Sequence, residues 1–140
     1  MTSEQKGLRL AAGVTMLTGL ALALAAVPAL NLPMRLLADI LIWPLDQAQT
    51  IALPETRLAF AIAGGVLTAW GLMIWHLAGE LLQSAPKPVR AIIRTSVLCW
   101  FVVDSAGSVA AGAALNILPN LVFLALFLVP MRGARATFAA

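Results

Sequence analysis

An acidic side chain, Asp104, lies well inside an apolar stretch, residues 92–112, that is long enough to cross a lipid bilayer. A carboxylate held in hydrocarbon costs on the order of 3 kcal/mol, so residues of this kind usually face the protein interior and have a polar partner. The sequence therefore predicts that Asp104 faces other helices. The chemistry of the site depends on what meets the carboxylate there.

One interpretation is a structural cluster that holds helices together. Asp104 follows Arg90 by 14 residues, which at about 1.5 Å per residue places it roughly 21 Å into its span. Arg57, at the start of the second apolar stretch, and Asn116, at the start of the fourth, are expected at a comparable depth, with Asn120 close by. Such a cluster would satisfy the carboxylate without any ligand.

The alternative interpretation is a small polar cavity for a proton, a cation or a head group. Ser105 adjoins Asp104, and Gly107 and Ser108 follow one helical turn later. Small residues beside an acid leave room for water or a ligand, but they leave the same room for another helix. Both interpretations stay open, together with a third in which Asp104 is a hydrated residue at the membrane interface with no special role. The predicted polar intramembrane cluster consists of Asp104, Arg57, Asn116, Ser105 and Ser108.

Other chemistries find little support. His76 is the only histidine, which excludes a bis-histidine haem within one chain. A Ser/His/Asp hydrolase is disfavoured, because His76 is expected near the membrane face opposite Ser105. Cys99 stands alone, so no intrachain disulfide or CxxC centre can form. We therefore expect no enzymatic activity, no catalytic residue, no cofactor and no metal.

The composition predicts lipid as the solvent. Of 140 residues, 61% are hydrophobic and 11% are charged, against roughly 45–50% and 25% in globular domains. The expected fold is an all-α integral membrane protein, one transmembrane domain over residues 1–140, with four helices in an up-down bundle and a short interfacial helix in which Arg35 pairs with Asp39. The predicted spans are 8–30, 58–82, 91–112 and 114–131, the interfacial helix is 35–43, and 83–90 is a loop.

The basic residues indicate an orientation. The first apolar run, 10–30, is long enough to span, so we expect it to be retained and not removed as a signal peptide. When the Lys and Arg residues are counted on each side of the predicted membrane, the positive-inside rule places both termini in the cytoplasm. Nothing in the basic residues forms a nucleic-acid-binding stripe. The predicted cytoplasmic side holds Lys6, Arg9, Lys87, Arg90, Arg94, Arg132 and Arg135, and the outer side holds Arg35 and Arg57.

Small residues recur at helical spacing and predict close helix contacts, because helices in lipid approach through such faces. In the second span Ala61, Gly65 and Ala69 fall four apart. The glycines expected at helix contacts are Gly19, Gly64, Gly65, Gly107 and Gly112.

Several blocks, WPLD (43–46), PETR (54–57) and WFVVDSAGS (100–108), together with Asn116 and Asn120, make the chain similar to a group of small four-span proteobacterial inner-membrane proteins without an assigned activity. That resemblance implies the four-span fold in the inner membrane and supplies no catalytic residue.

The expected function is that of an accessory or self-associating helical subunit, with the bilayer and other transmembrane helices as partners, in a homo-oligomer or a larger complex. The alternative is a small transporter or ligand-binding protein that uses Asp104.

Overall fold

The computed structural model describes residues 1–132 and contains helices but no strand in that part of the chain. Four of its helical segments are long and apolar enough to cross a membrane, so the predicted all-helical chain with four candidate spans is confirmed at that level. The predicted basic residue Arg135 lies outside the described residues. The four segments are Ser3–Leu24, Pro54–Ser84, Pro86–Ala110 and Ala114–Arg132.

The four segments contain five α-helices, and the long connection between the first two segments contains a sixth, α2. A π-helical turn, Leu77–Leu81, joins the third helix to the fourth, and 3₁₀ turns cover Pro28–Leu30 and Ala114–Asn116. The α-helices are α1 (Ser3–Leu24), α2 (Leu32–Leu41), α3 (Pro54–His76), α4 (Leu82–Ser84), α5 (Pro86–Ala110) and α6 (Ile117–Arg132).

Four helices, α1, α2, α3 and α5, begin earlier than predicted, and the cause is clear for α1 and α5. α1 starts at Ser3 because Thr2 forms a capping box with Gln5: the Gln5 backbone N–H donates to Thr2 Oγ1 at 3.2 Å, and the Thr2 N–H donates to Gln5 Oε1 at 2.8 Å. α5 starts at Pro86, where a proline costs no hydrogen bond in the first helical turn. The stretch 83–90 is therefore mostly helical, which corrects its prediction as a loop.

α2 takes the place of the predicted interfacial helix, but it ends at Leu41 and leaves Trp43 outside. The predicted Arg35 to Asp39 pair is not formed. Asp39 is buried, and its Oδ1 instead accepts a hydrogen bond from the Gln47 backbone N–H at 2.8 Å. A loop N–H without a helical partner needs an acceptor, and the buried Asp39 carboxylate supplies it, so the loop contact takes the place of the pair with Arg35.

Long segments that follow one another in the chain run antiparallel. Along α1 and α3, Gly19 lies against Thr68 and Gln5 against Gly79, and α6 packs against both α1 and α5. One end of the bundle, here called the terminal end, holds the start of α1 and the end of α6. The opposite end, here called the loop end, holds α2 and the turn at Gly112.

The apolar core lies in the terminal half of the bundle. All four long segments contribute buried side chains to it, Phe127 and Leu8 being the largest. Next to it is an aromatic group in which the Trp70 ring lies 6.0 Å from Trp100 and 5.9 Å from Phe127. The remaining core residues are Ala11, Ala12, Ile74, Ala78, Leu82, Val89, Ile93 and Val97.

Candidate functional site

A polar cluster in the half of the bundle nearer the loop end joins α5 to the start of α6. Asp104 Oδ2 accepts hydrogen bonds from Asn120 Nδ2 at 2.6 Å and from Asn116 Nδ2 at 3.1 Å. Each amide also reaches a serine of α5: Asn116 Nδ2 lies 2.9 Å from Ser108 Oγ, and Asn120 Nδ2 lies 3.2 Å from Ser105 Oγ. Two amide groups therefore bridge the two helices through one carboxylate oxygen.

Helical spacing and one tight turn bring these residues together. Asp104 and Ser108 are four apart on α5, and Asn116 and Asn120 are four apart across the start of α6, so each pair lies on one helical face. Gly112 has a φ of +79°, a conformation that glycine adopts without steric cost, and it reverses the chain between the helices. Amide N–H groups donate to a carboxylate, and hydrogen bonds to an ionised group are stronger than neutral ones.

Asp104 stands at the border between this cluster and the outer surface of α5. Asn120 is 5% exposed, whereas Asp104 is half-buried. The Asp104 side chain also lines an open groove of about 660 Å³, here called the α5 groove, and thus has both a bonded side and an accessible side. The other residues of the α5 groove are Thr95, Ser96, Cys99, Trp100 and Val103.

Arg57 does not belong to the cluster, which corrects its predicted pairing with Asp104. The Arg57 Nε donates to the backbone oxygen of Ala26 at 2.7 Å. α3 packs along α1, so the start of α3 lies beside the carbonyls that follow the end of α1, and a cation satisfies such unpaired carbonyls well. The sequence argument matched the depth of Arg57 and Asp104 in the membrane, but depth alone does not fix which helix a side chain meets.

Two of the predicted contact glycines lie where α1 and α3 touch. A Cβ placed on Gly19 would stand 2.5 Å from the Thr68 backbone nitrogen, and one placed on Gly64 would collide with the Ala23 backbone. Gly65 and Gly107 have no atom within 4 Å of such a Cβ, so their prediction at helix contacts within the chain is wrong. One residue turns the helix by about 100°, which moves Gly65 away from the face of Gly64. Gly112 likewise has open space around it and serves the turn.

Several contacts were not predicted. A Cβ on Gly71 would lie 2.9 Å from the Ala12 backbone oxygen, and one on Gly7 would lie 2.6 Å from Pro130 Cγ. The spacing of Gly64, Thr68 and Gly71 at steps of four and three carried a signal for the first of these contacts. Gly7 and Pro130 are far apart in the chain, and no local pattern links them.

A second polar group closes the terminal end. The buried Gln5 side chain donates from Nε2 to the Gly79 carbonyl at 2.8 Å, and its Oε1 accepts from Gln83 Nε2 at 3.1 Å. Glu4 accepts two hydrogen bonds from the Arg90 guanidinium, each 2.7 Å long. These contacts tie the start of α1 to the π-helical turn and to α5.

No three His, Cys, Asp or Glu side chains in the described part of the chain lie close enough together to hold a metal ion. The chemistry available to the Asp104 cluster is therefore that of one carboxylate, two amides and two hydroxyls. Comparisons with protein-family models, with curated proteins and with solved structures find no match for this chain.

Proposed function

We propose that this chain is a non-enzymatic membrane subunit that associates with a second copy of itself through the α5 groove. The observation that supports the proposal is the position of Asp104, which the chain's own helices cover on one side only. An ionisable side chain facing lipid is costly. A partner helix in the α5 groove would remove the carboxylate from lipid.

The composition of the α5 groove favours a helix as its occupant. Thr95, Ser96 and Cys99 are small or hydroxylated side chains, and Cys99 follows Thr95 by four residues and Ser96 by three, so they line one side of α5. Transmembrane helices approach one another through small residues and form hydrogen bonds across the contact through Ser and Thr. The groove therefore offers both a close approach and donors near the middle of the span.

The proposed location is a bacterial inner membrane, with the terminal end of the bundle in the cytoplasm. Lys6, Arg9, Lys87, Arg90, Arg94 and Arg132 lie in the segments of the terminal end, whereas Arg35 and Arg57 lie toward the loop end. An excess of Lys and Arg in short loops marks the cytoplasmic side of a membrane protein. The charge distribution is the support for this orientation.

Reporter fusions test the orientation. A reporter fused after Gln47 should read periplasmic and one fused after Pro86 cytoplasmic, because these positions follow the first and second candidate spans. A fusion after Phe138, which is outside the described residues, should also read cytoplasmic. A periplasmic reading there would contradict an even number of spans.

Oxidative cross-linking tests the association, because Cys99 is the chain's single cysteine and is an exposed residue in the α5 groove. Treatment of native membranes with copper-phenanthroline should convert most of the protein to a disulfide-linked dimer, since a symmetric contact through this face brings two copies of the side chain together. The measurement is the dimer fraction on a non-reducing gel.

The matched control moves the thiol by one residue. In a Cys99→Ala background, Leu98→Cys places an exposed thiol at the same depth but about 100° around the helix, and it should remain monomeric. Equal cross-linking at both positions would indicate random collision in the bilayer. A Cys99 thiol that stays monomeric under the same oxidation would rule out the proposed face.

A further inference from the structure

A second groove runs along the outside of α1 at the terminal end of the bundle and has a volume of about 560 Å³. Two cationic side chains, Lys6 and Arg9, stand at its start. The rest of its lining is apolar and includes Leu10, Gly13, Leu17 and, from α3, Trp75. This surface, here called the α1 groove, lies on a different helix from the proposed association face.

Arg9 is held in place but lacks an anionic partner. Its guanidinium lies 5.3 Å from the centre of the Trp75 ring, and its Nη1 donates to Met1 Sδ at 3.5 Å. The Nε is buried and has no hydrogen-bond partner among residues 1–132. A buried donor without an acceptor is rare in folded proteins and calls for an explanation.

The acidic side chains of the terminal end do not supply the missing anion. Glu4 is engaged by Arg90 at 2.7 Å, and this is the one ion pair within residues 1–132. Neither Lys6 nor Arg9 has a carboxylate within ion-pairing distance in that part of the chain. Two cations one helical turn apart are therefore available to a bound anion.

The apolar part of the α1 groove gives that anion a particular shape. Leu17 follows Arg9 by eight residues, so the apolar wall extends about 12 Å from the cations along the helix. Leu10 and Leu17 are 64% and 68% exposed. An anion at one end and a hydrocarbon wall at the other match the two parts of a membrane lipid.

We infer that the α1 groove binds an anionic phospholipid of the leaflet at the terminal end, with its phosphate on Lys6 and Arg9 and an acyl chain along Leu10, Gly13 and Leu17. Basic pockets at the ends of transmembrane helices recognise anionic head groups. A second copy of this chain fits less well, because its terminal end would bring further cations to the same place. Trp75 lies beside the proposed phosphate, at a level where indole rings are favoured.

Lipid retention tests the inference. The full chain is reconstituted in vesicles of equal parts phosphatidylglycerol and phosphatidylcholine, extracted in mild detergent, and weighed with its bound lipid by native mass spectrometry. The wild type should retain phosphatidylglycerol over phosphatidylcholine by about tenfold or more, and the Lys6→Gln/Arg9→Gln variant should lose that preference. An adequate control is Lys87→Gln/Arg94→Gln, which removes two exposed cations from the same end outside the groove and should behave as the wild type.

A third variant examines the apolar wall with both cations intact. A Cβ on Gly13 would meet Trp75 at 3.9 Å, an ordinary contact, so Gly13→Leu should fold while filling the groove, and it should lose the retained lipid. Circular dichroism and melting temperature check the folding of each variant. Loss of preference in the Lys87→Gln/Arg94→Gln control, normal retention in Gly13→Leu, or displacement of the lipid by inorganic phosphate alone would each overturn the inference.

Discussion

Replacing Gly64 with alanine should lower the free energy of unfolding by about 1–3 kcal/mol, and replacing it with leucine should lower it further. The added Cβ would collide with the backbone of Ala23 and would lie 2.5 Å from the Gly19 carbonyl oxygen. Backbone atoms cannot rotate away as a side chain can, so α1 and α3 would have to separate along their contact. Unfolding in a mixed detergent titration measures the effect.

The neighbouring glycine provides the control. Gly65 has the same chemistry and depth, but no atom lies within 4 Å of its Cβ position. Gly65→Ala should be neutral or stabilising by up to about 1 kcal/mol, because alanine favours a helix over glycine. If the two substitutions cost the same, the contact between α1 and α3 does not depend on the face that carries Gly64.

Asn120→Ala should also lower the free energy of unfolding, by about 2 kcal/mol or more, because Asp104 would lose its shortest hydrogen bond, 2.6 Å long, inside an apolar bundle. Asp104→Ala should cost a similar amount by leaving the Asn116 and Asn120 amides without their common acceptor. The double variant should cost less than the sum by about 1–3 kcal/mol, since the orphaned groups disappear together.

A second cycle, between Asp104 and Arg57, separates this contact from a general electrostatic effect. Arg57 bonds to Ala26 and not to the cluster, so Arg57→Ala and Asp104→Ala should add to within about 0.5 kcal/mol. Coupling between Arg57 and Asp104, or additivity between Asn120 and Asp104, would contradict the hydrogen-bond pattern described here.

The candidate spans were predictable because hydropathy and length act over some twenty residues and do not depend on neighbours. The ends of the helices depend on single hydrogen bonds. The cap between Thr2 and Gln5 extends α1, and the contact between Asp39 and Gln47 replaces an ion pair that helical spacing alone favoured. Competition of this kind is decided by the loop conformation, which no local pattern in the sequence specifies.

The depth of the polar residues along their helices was predictable, but the neighbouring helix that each of them faces was not. Asn116 and Asn120 adjoin Asp104 because a short turn joins their helices, so sequence distance constrained them. Arg57 comes from a helix whose neighbour was unknown, and it lies against α1. The same limit applies to Gly64 and Gly65, since a span that is apolar on every side gives no sign of which face meets another helix.

The Gly79 break divides the longest candidate span into two parts. The segment Pro54–Ser84 has 31 residues, about 46 Å of helix against a hydrocarbon layer of about 30 Å. At Gly79 the backbone leaves helical geometry, with ψ at −133°, and the Gln5 side-chain amide donates a hydrogen bond to the Gly79 carbonyl. The break therefore lets the segment change direction at one hydrogen-bonded position, while Ala78 and Leu82 on either side of it stay in the buried core. For a bilayer thinner than the segment is long, a bend there is an alternative to tilting the whole bundle.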